Sequence, residues 1–208
     1  MGNAALLHRY GFTEPDNKFD IVNIDLNLVI EWCSSSFSSR YSRARLSLWR
    51  SLNYSGCTSQ DSEYFEISFN GEPQIELITL LYIIFLPEDA CQKLNCAVDS
   101  FSESDESANL IKLINITGHK CDIAADKINV LLLTGDVCNA LVSLADIRES
   151  LYGSNSLGDD ENKLRRCCLV KERKLYHSLV LRVSERNILL RLRVYASKGC
   201  KTKKRKVW

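Results

Sequence analysis

Few side chains among the 208 residues are of a type and spacing to do chemistry. His8, His119 and His177 are scattered along the chain. His119 stands two residues from Cys121, a base and a thiol of the kinds that Cys–His nucleophilic catalysis uses when they come within hydrogen-bond reach. So close together in a loop, they read as incidental. The acidic groups Asp159-Asp160 and Glu103/Asp105/Glu106 read as a helix cap and a solvated loop rather than as paired catalytic carboxylates. Gly153-Ser154-Asn155-Ser156-Leu157-Gly158 lacks the preceding strand and the following lysine of a phosphate loop. Nine cysteines include no Cys-x-x-Cys, and the close pairs are Cys91/Cys96 and Cys167/Cys168. Four-ligand zinc spacings are therefore missing, and the thiols are expected to serve as small buried hydrophobes. An odd number without a secretory signal argues against a disulfide framework.

Binding candidates are more numerous. Arg166, Lys171, Arg173, Lys174, Arg182 and Arg186 lie along the last helical stretch, as a possible face for an acidic protein partner. The plainer alternative is a solvated helix exterior paired with Glu161, Glu172 and Glu185 at helical spacings. Trp32, Trp49 and Tyr54 suit either a docking patch or the core. The tail run Lys201-Thr202-Lys203-Lys204-Arg205-Lys206 resembles a single-cluster nuclear localisation signal, with Lys203, Lys204, Arg205 and Lys206 at its centre. An ordinary basic terminus is the other reading. Of 27 basic residues, six lie between Lys198 and Lys206, so the body is net acidic against 26 acidic residues. That balance offers no footprint for nucleic acid. The most apolar run, Ile75 to Leu86, carries Glu76 and is shorter than the roughly 18 apolar residues of a membrane span. The expected setting is intracellular, nuclear or cytoplasmic, with no membrane partner and no transit or signal peptide in this chain.

Only three prolines and nine glycines favour long elements, and helix above all. Phe19 to Leu26 and Tyr64 to Phe69 alternate as strands, the second ending at the turn signal Asn70-Gly71. Together they predict a small two-stranded unit. Leu28 to Trp32 starts a helix that Ser34-Ser35-Ser36 interrupts, and a second runs from Ser39 to Leu52, with Ser42 as its cap. Pro73 is placed in the first turn of a helix to Leu86 that is apolar on nearly all sides, the signature of a central helix. A short helix runs from Pro87 to about Val98. Asp99 to Asn109 has the composition of a disordered segment, and Leu110 to Ile116 suits strand or helix. Thr134 caps a helix that stops at Gly153, and Asp159 or Asp160 caps the last element. From Asp159 to Lys198 there is neither Gly nor Pro. This predicts one helix of roughly 60 Å or two with a kink near Ser184.

Asn3-Ala4-Ala5-Leu6-Leu7-His8-Arg9-Tyr10-Gly11-Phe12 resembles the Asn-x-x-Leu-x-x-x-Tyr-Gly-Phe run that closes the SET domain in protein-lysine methyltransferases of the Rubisco large-subunit family. The succession of strand, strand, apolar helix and closing helix pair resembles the substrate-binding domain that follows it in that family. The resemblance implies a mainly α-helical, bundle-like lobe with a small two-stranded β element and one very long C-terminal helix or helix pair. It divides the chain into the end of a SET domain (1–17), a substrate-binding domain (18–198, with 99–128 as a partly disordered insert) and a basic tail (199–208). It also implies a protein partner carrying a lysine to be methylated, and S-adenosylmethionine as the parent family's cofactor. Tyr10 matches the tyrosine at the family's methyl-transfer channel. The family's glycine-rich and Asn-His cofactor motifs have no counterpart here, so this chain alone is expected to bind no cofactor and to transfer no methyl group. The alternatives are a helical adaptor module, or one component of a methyltransferase completed by a separate SET chain.

Overall fold

A computed structural model of the chain describes residues 1–52, 64–98, 106–117 and 131–204. It is mainly helical, with a two-stranded antiparallel sheet. In chain order the described elements are α1 (Asn3–Tyr10), β1 (Ile21–Asp25), α2 (Leu26–Ser36), α3 (Ser39–Ser51), β2 (Tyr64–Ser68), α4 (Ile75–Ile84), α5 (Glu88–Cys96), α6 (Glu106–Ile116), α7 (Gly135–Ser150), α8 (Leu157–Arg166) and α9 (Arg173–Lys204).

The strands pair in a register that sets Val22 opposite Ile67 and Ile24 opposite Phe65. All four side chains are buried, so the alternation seen in sequence marks one face turned to the core. β2 ends in a tight turn, where Gly71 N–H donates to the Ser68 carbonyl at 2.8 Å. Gly71 has φ +81°, and a Cβ there would come within 2.4 Å of the Arg191 carbonyl carbon on α9. Glycine is required twice over, once for the backbone angle and once for the approach.

α4 is the centre of the molecule, with every side chain from Leu77 to Ile84 buried. Its start differs from expectation. Pro73 does not open the helix but bridges to Ile67, and Gln74 exchanges hydrogen bonds with Glu66 (Gln74 N–H to the Glu66 carbonyl 3.0 Å, Glu66 N–H to Gln74 Oε1 2.9 Å). Sheet pairing claims these two residues before the helix begins. At α3 the cap is Ser38, whose Oγ accepts from Tyr41 N–H at 3.3 Å, while Ser42 turns back to the Ser38 carbonyl. Trp49 is fully buried, edge-on to Phe65 at 5.8 Å, and Trp32 packs between Phe37 and Phe85, so both serve the core. Tyr54 lies outside the described residues.

α6 starts at Glu106, inside the stretch read as disordered, because Leu110, Leu113 and Ile114 give it an apolar face to bury. Residues 99–105 and 118–130 are outside the described set. α7 begins at Thr134 as expected, the threonine Oγ1 accepting from Val137 N–H at 3.2 Å. α8 is capped by Ser156 rather than by either aspartate, in a reciprocal box with Asp159 (Asp159 N–H to Ser156 Oγ 3.1 Å, Ser156 N–H to Asp159 Oδ2 2.9 Å). Those hydrogen bonds hold the Asp159 carboxyl below the usual aspartate range.

The closing stretch is a helix pair, and its break falls at Cys167–Glu172 rather than near Ser184. No glycine or proline marks the turn. What folds α8 back is Asp160, which meets Arg186 at 2.8 Å and Arg182 at 3.0 Å. In one straight helix Asp160 and Arg186 would stand roughly 39 Å apart. α9 then runs unbroken for 32 residues, about 48 Å, lying against α1, both strands, α7 and α8.

Candidate functional site

The motif around Tyr10 is built into the helical body. Asn3 is buried, and its backbone N–H donates to Asp20 Oδ1 at 2.8 Å. Its side-chain amide donates to Asp20 Oδ2 and to the Glu14 carbonyl, each at 3.0 Å, while its Oδ1 accepts from Glu14 N–H at 2.9 Å. Asp20 Oδ2 also accepts the Ser184 hydroxyl of α9 at 2.5 Å. A second tie lies beyond Phe12, where His177 Nδ1 on α9 accepts from Thr13 N–H at 3.1 Å and lies 3.0 Å from Thr13 Oγ1. A buried Nδ1 that accepts a backbone N–H places the imidazole proton on Nε2.

Between these ties α1 ends at Gly11, in the left-handed region at φ +72°, and Tyr10 is left 61% exposed. Its ring leans on Phe12 at 6.2 Å. A groove of about 190 Å³ is lined by Pro15, Asp16, Phe69, Leu164, Val183 and Arg191 among others. Its lining mixes aliphatic and aromatic side chains with the Asp16 carboxylate and the Arg191 guanidinium. Arg191 is itself held by the Phe69 carbonyl at 2.8 Å and stacked over the Phe69 ring at 4.1 Å.

The six cations read as a partner face separate into two sets. Arg182 and Arg186 meet on the buried carboxylate of Asp160, and Arg186 also binds Glu149 at 3.0 Å and donates to the Asn155 carbonyl at 2.8 Å. Arg193 extends this ladder to Asp146 and Glu149. These arginines join α7, α8 and α9, and their partners are not the same-helix glutamates expected from spacing. Arg166, Lys171, Arg173 and Lys174 stay exposed around the α8–α9 turn. The structure thus places two of the six inside and four outside. Of the tail candidates, Lys203 and Lys204 belong to the end of α9, and Arg205 and Lys206 lie outside the described residues.

Local sequence pattern did not identify the structural partners of Asp160, read as a helix cap, of Asn3, read as part of the motif, or of His177, read as isolated. The four-residue spacing of Arg182 and Arg186 was the available signal for Asp160, since it aims both side chains at one point. Nothing in the sequence pairs His177 with Thr13. Near this ladder, Tyr152 donates to Glu185, which also faces Arg148 at 3.5 Å. Burial holds the Glu185 carboxyl above the usual range, against the opposing pull of Tyr152 and Arg148.

A second cavity, about 230 Å³, lies between α2, α3 and α4, walled by Leu26, Val29, Cys33, Leu46, Leu80 and Ile84 with others. Among the described residues no three His, Cys, Asp or Glu side chains gather as a metal site, and no helix is long and apolar enough to cross a membrane. His119 and Cys121 are outside the described residues. In comparisons with known proteins, no family model and no curated protein matches the chain.

Proposed function

We propose that this chain is the protein-substrate-binding lobe of a SET-type protein-lysine N-methyltransferase of the Rubisco large-subunit family. One observation carries the reading. The Asn3–Phe12 block, which resembles the end of a SET domain, is clamped to the helical body through Asn3–Asp20–Ser184 and Thr13–His177, leaving Tyr10 exposed between the clamps. A tyrosine that acts at a channel formed with a catalytic lobe has to be held rigidly and left uncovered on its own side. The groove beside Asp16 and Arg191 is lined in part by Pro15 and Asp16, a few residues beyond Tyr10 in the chain. In this reading the partner is a protein bearing the target lysine, and S-adenosylmethionine supplies the methyl group from the catalytic lobe.

The test uses a SET catalytic lobe of the family, expressed alone and fused ahead of Asn3, with tritiated S-adenosylmethionine and a protein extract. The fusion should label proteins that the catalytic lobe alone leaves unlabelled, and Tyr10→Phe should lower that labelling. Identical labelling patterns with and without this chain would refute the proposal.

A further inference from the structure

The α8–α9 turn is unlike the rest of the surface. Val170 is 91% exposed, Leu169 45% and, on the first turn of α9, Leu175 49%. The fold leaves these aliphatic side chains without an interior to enter. Around them stand Arg165, Arg166, Lys171, Arg173 and Lys174, all exposed and all without an ion pair among the described residues. The nearest acid, Glu172, accepts from Cys168 N–H at 3.3 Å, and its single charge leaves the five cations in excess. Farther along α9 the pattern reverses, and Arg182, Arg186 and Arg193 are all neutralised by carboxylates. Unpaired cations and unburied aliphatics therefore coincide at one end of the molecule.

We propose that this turn is a peripheral contact for an anionic membrane surface, with Leu169 and Val170 entering the headgroup–acyl boundary and the surrounding cations resting on lipid phosphates and carboxylates. Charge complementarity selects an anionic partner, and shape selects among anionic partners. A protruding Val170 would need a matching pocket on a protein, whereas an interfacial lipid layer yields to it. Nucleic acid is disfavoured because the tip has no aromatic for bases to stack on. The nearest one, Tyr176, is turned edge-on to His177 at 5.4 Å. The contact does not rest on the methyltransferase reading and does not require a spanning helix.

Co-sedimentation of the full chain with phosphatidylcholine vesicles, with and without phosphatidylserine, tests it. Binding is expected only with the anionic lipid and should vanish near 1 M salt, where screening shortens the Debye length to about 3 Å. Each cation near such a surface strengthens association about fivefold. Lys171→Ala with Lys174→Ala should therefore weaken binding about 25-fold, and the charge-neutral Val170→Ser about tenfold. All three positions are exposed, so circular dichroism should show the fold unchanged. Three outcomes would overturn the proposal. One is equal binding to neutral vesicles. Another is binding indifferent to the turn variants, which would assign it to the tail. The third is turn-dependent binding to polyglutamate but not to vesicles, which would make the turn a protein-docking surface.

Discussion

Gly71→Ala isolates the closest approach in the fold. Two costs add. A non-glycine residue in the left-handed region, as φ +81° demands, costs about 1–2 kcal/mol. The new methyl would then meet the α9 backbone at Arg191 C (2.4 Å) and Leu192 N (2.5 Å). Backbone in a helix held on several sides has no rotamer by which to escape. The turn must retreat by about 1 Å, which also strains the Arg191–Phe69 hydrogen bond at 2.8 Å, together an overpacking cost of about 2–3 kcal/mol. The expected loss is about 3–5 kcal/mol, a large part of the roughly 5–15 kcal/mol that holds a domain folded. Gly153→Ala is the control, because Gly153 has φ +89° but nothing within 4 Å of its would-be Cβ. It should lose the backbone term alone. In urea unfolding followed by circular dichroism, at about 2 kcal/mol per molar, the midpoint should fall about 1.5–2.5 M for Gly71→Ala and about 0.5–1 M for Gly153→Ala. Equal shifts would refute the steric account.

Asp160→Ala leaves the buried Arg186 guanidinium without its central carboxylate, and urea unfolding should show a loss of about 3–5 kcal/mol. Arg182→Ala, at a side chain about a third exposed, should cost far less, and equal losses would count against Asp160 as the pin of the α8–α9 fold-back. Because burial raises the Glu185 carboxyl, the folded state holds that proton more tightly than the unfolded chain. Its stabilising contribution is complete below the ordinary glutamate pKa and is lost as the pH rises through the folded value. Thermal melts of Glu185→Gln and its parent should therefore diverge in the variant's favour as the pH rises above the ordinary glutamate range, about 4.3, and a constant difference would contradict this. Burial also pushes the Cys33 thiol up to about 12. Peptide mapping after brief iodoacetamide treatment at pH 8 should find Cys96 and Cys168 alkylated well before Cys33, which should react only on unfolding.

Much of the fold was legible because it follows from local periodicity. The alternation in Phe19–Leu26 and Tyr64–Phe69 located both strands and the buried face of the second, although Phe19, read with the apolar side of the first, is exposed and Asp20 is buried; the all-round apolar Ile75–Leu86 located the central helix, and Thr134 marked its own cap. The helix caps at Ser38 and Ser156 were missed locally, by a few residues; the larger errors share one cause, a tertiary partner that local pattern does not contain. Pro73 fits a helix start until β2 offers it a bridge. Asp160 reads as half of an acidic cap until α8 folds back onto Arg182 and Arg186. A break at Cys167–Glu172 has no punctuation, since it is set by which buried carboxylate meets which arginine. The candidate site was legible only in its identity block. Tyr10 was visible, but the clamps that hold it join residues 164 positions apart (Thr13 with His177, Asp20 with Ser184).

The length and placement of α9 have a consequence for how the protein is made. Every element that α9 covers, from α1 through α8, precedes it in the chain. A ribosome adds roughly 5–20 residues per second, so the sheet and α7 wait several seconds uncovered after they have been synthesised. During that interval the apolar faces meant for α9 are open to neighbouring nascent chains or to a chaperone. A translation product stopping before Arg173 would have no late partner to close them, and is expected to be degraded or to aggregate. The last helix to be made decides whether the earlier ones persist.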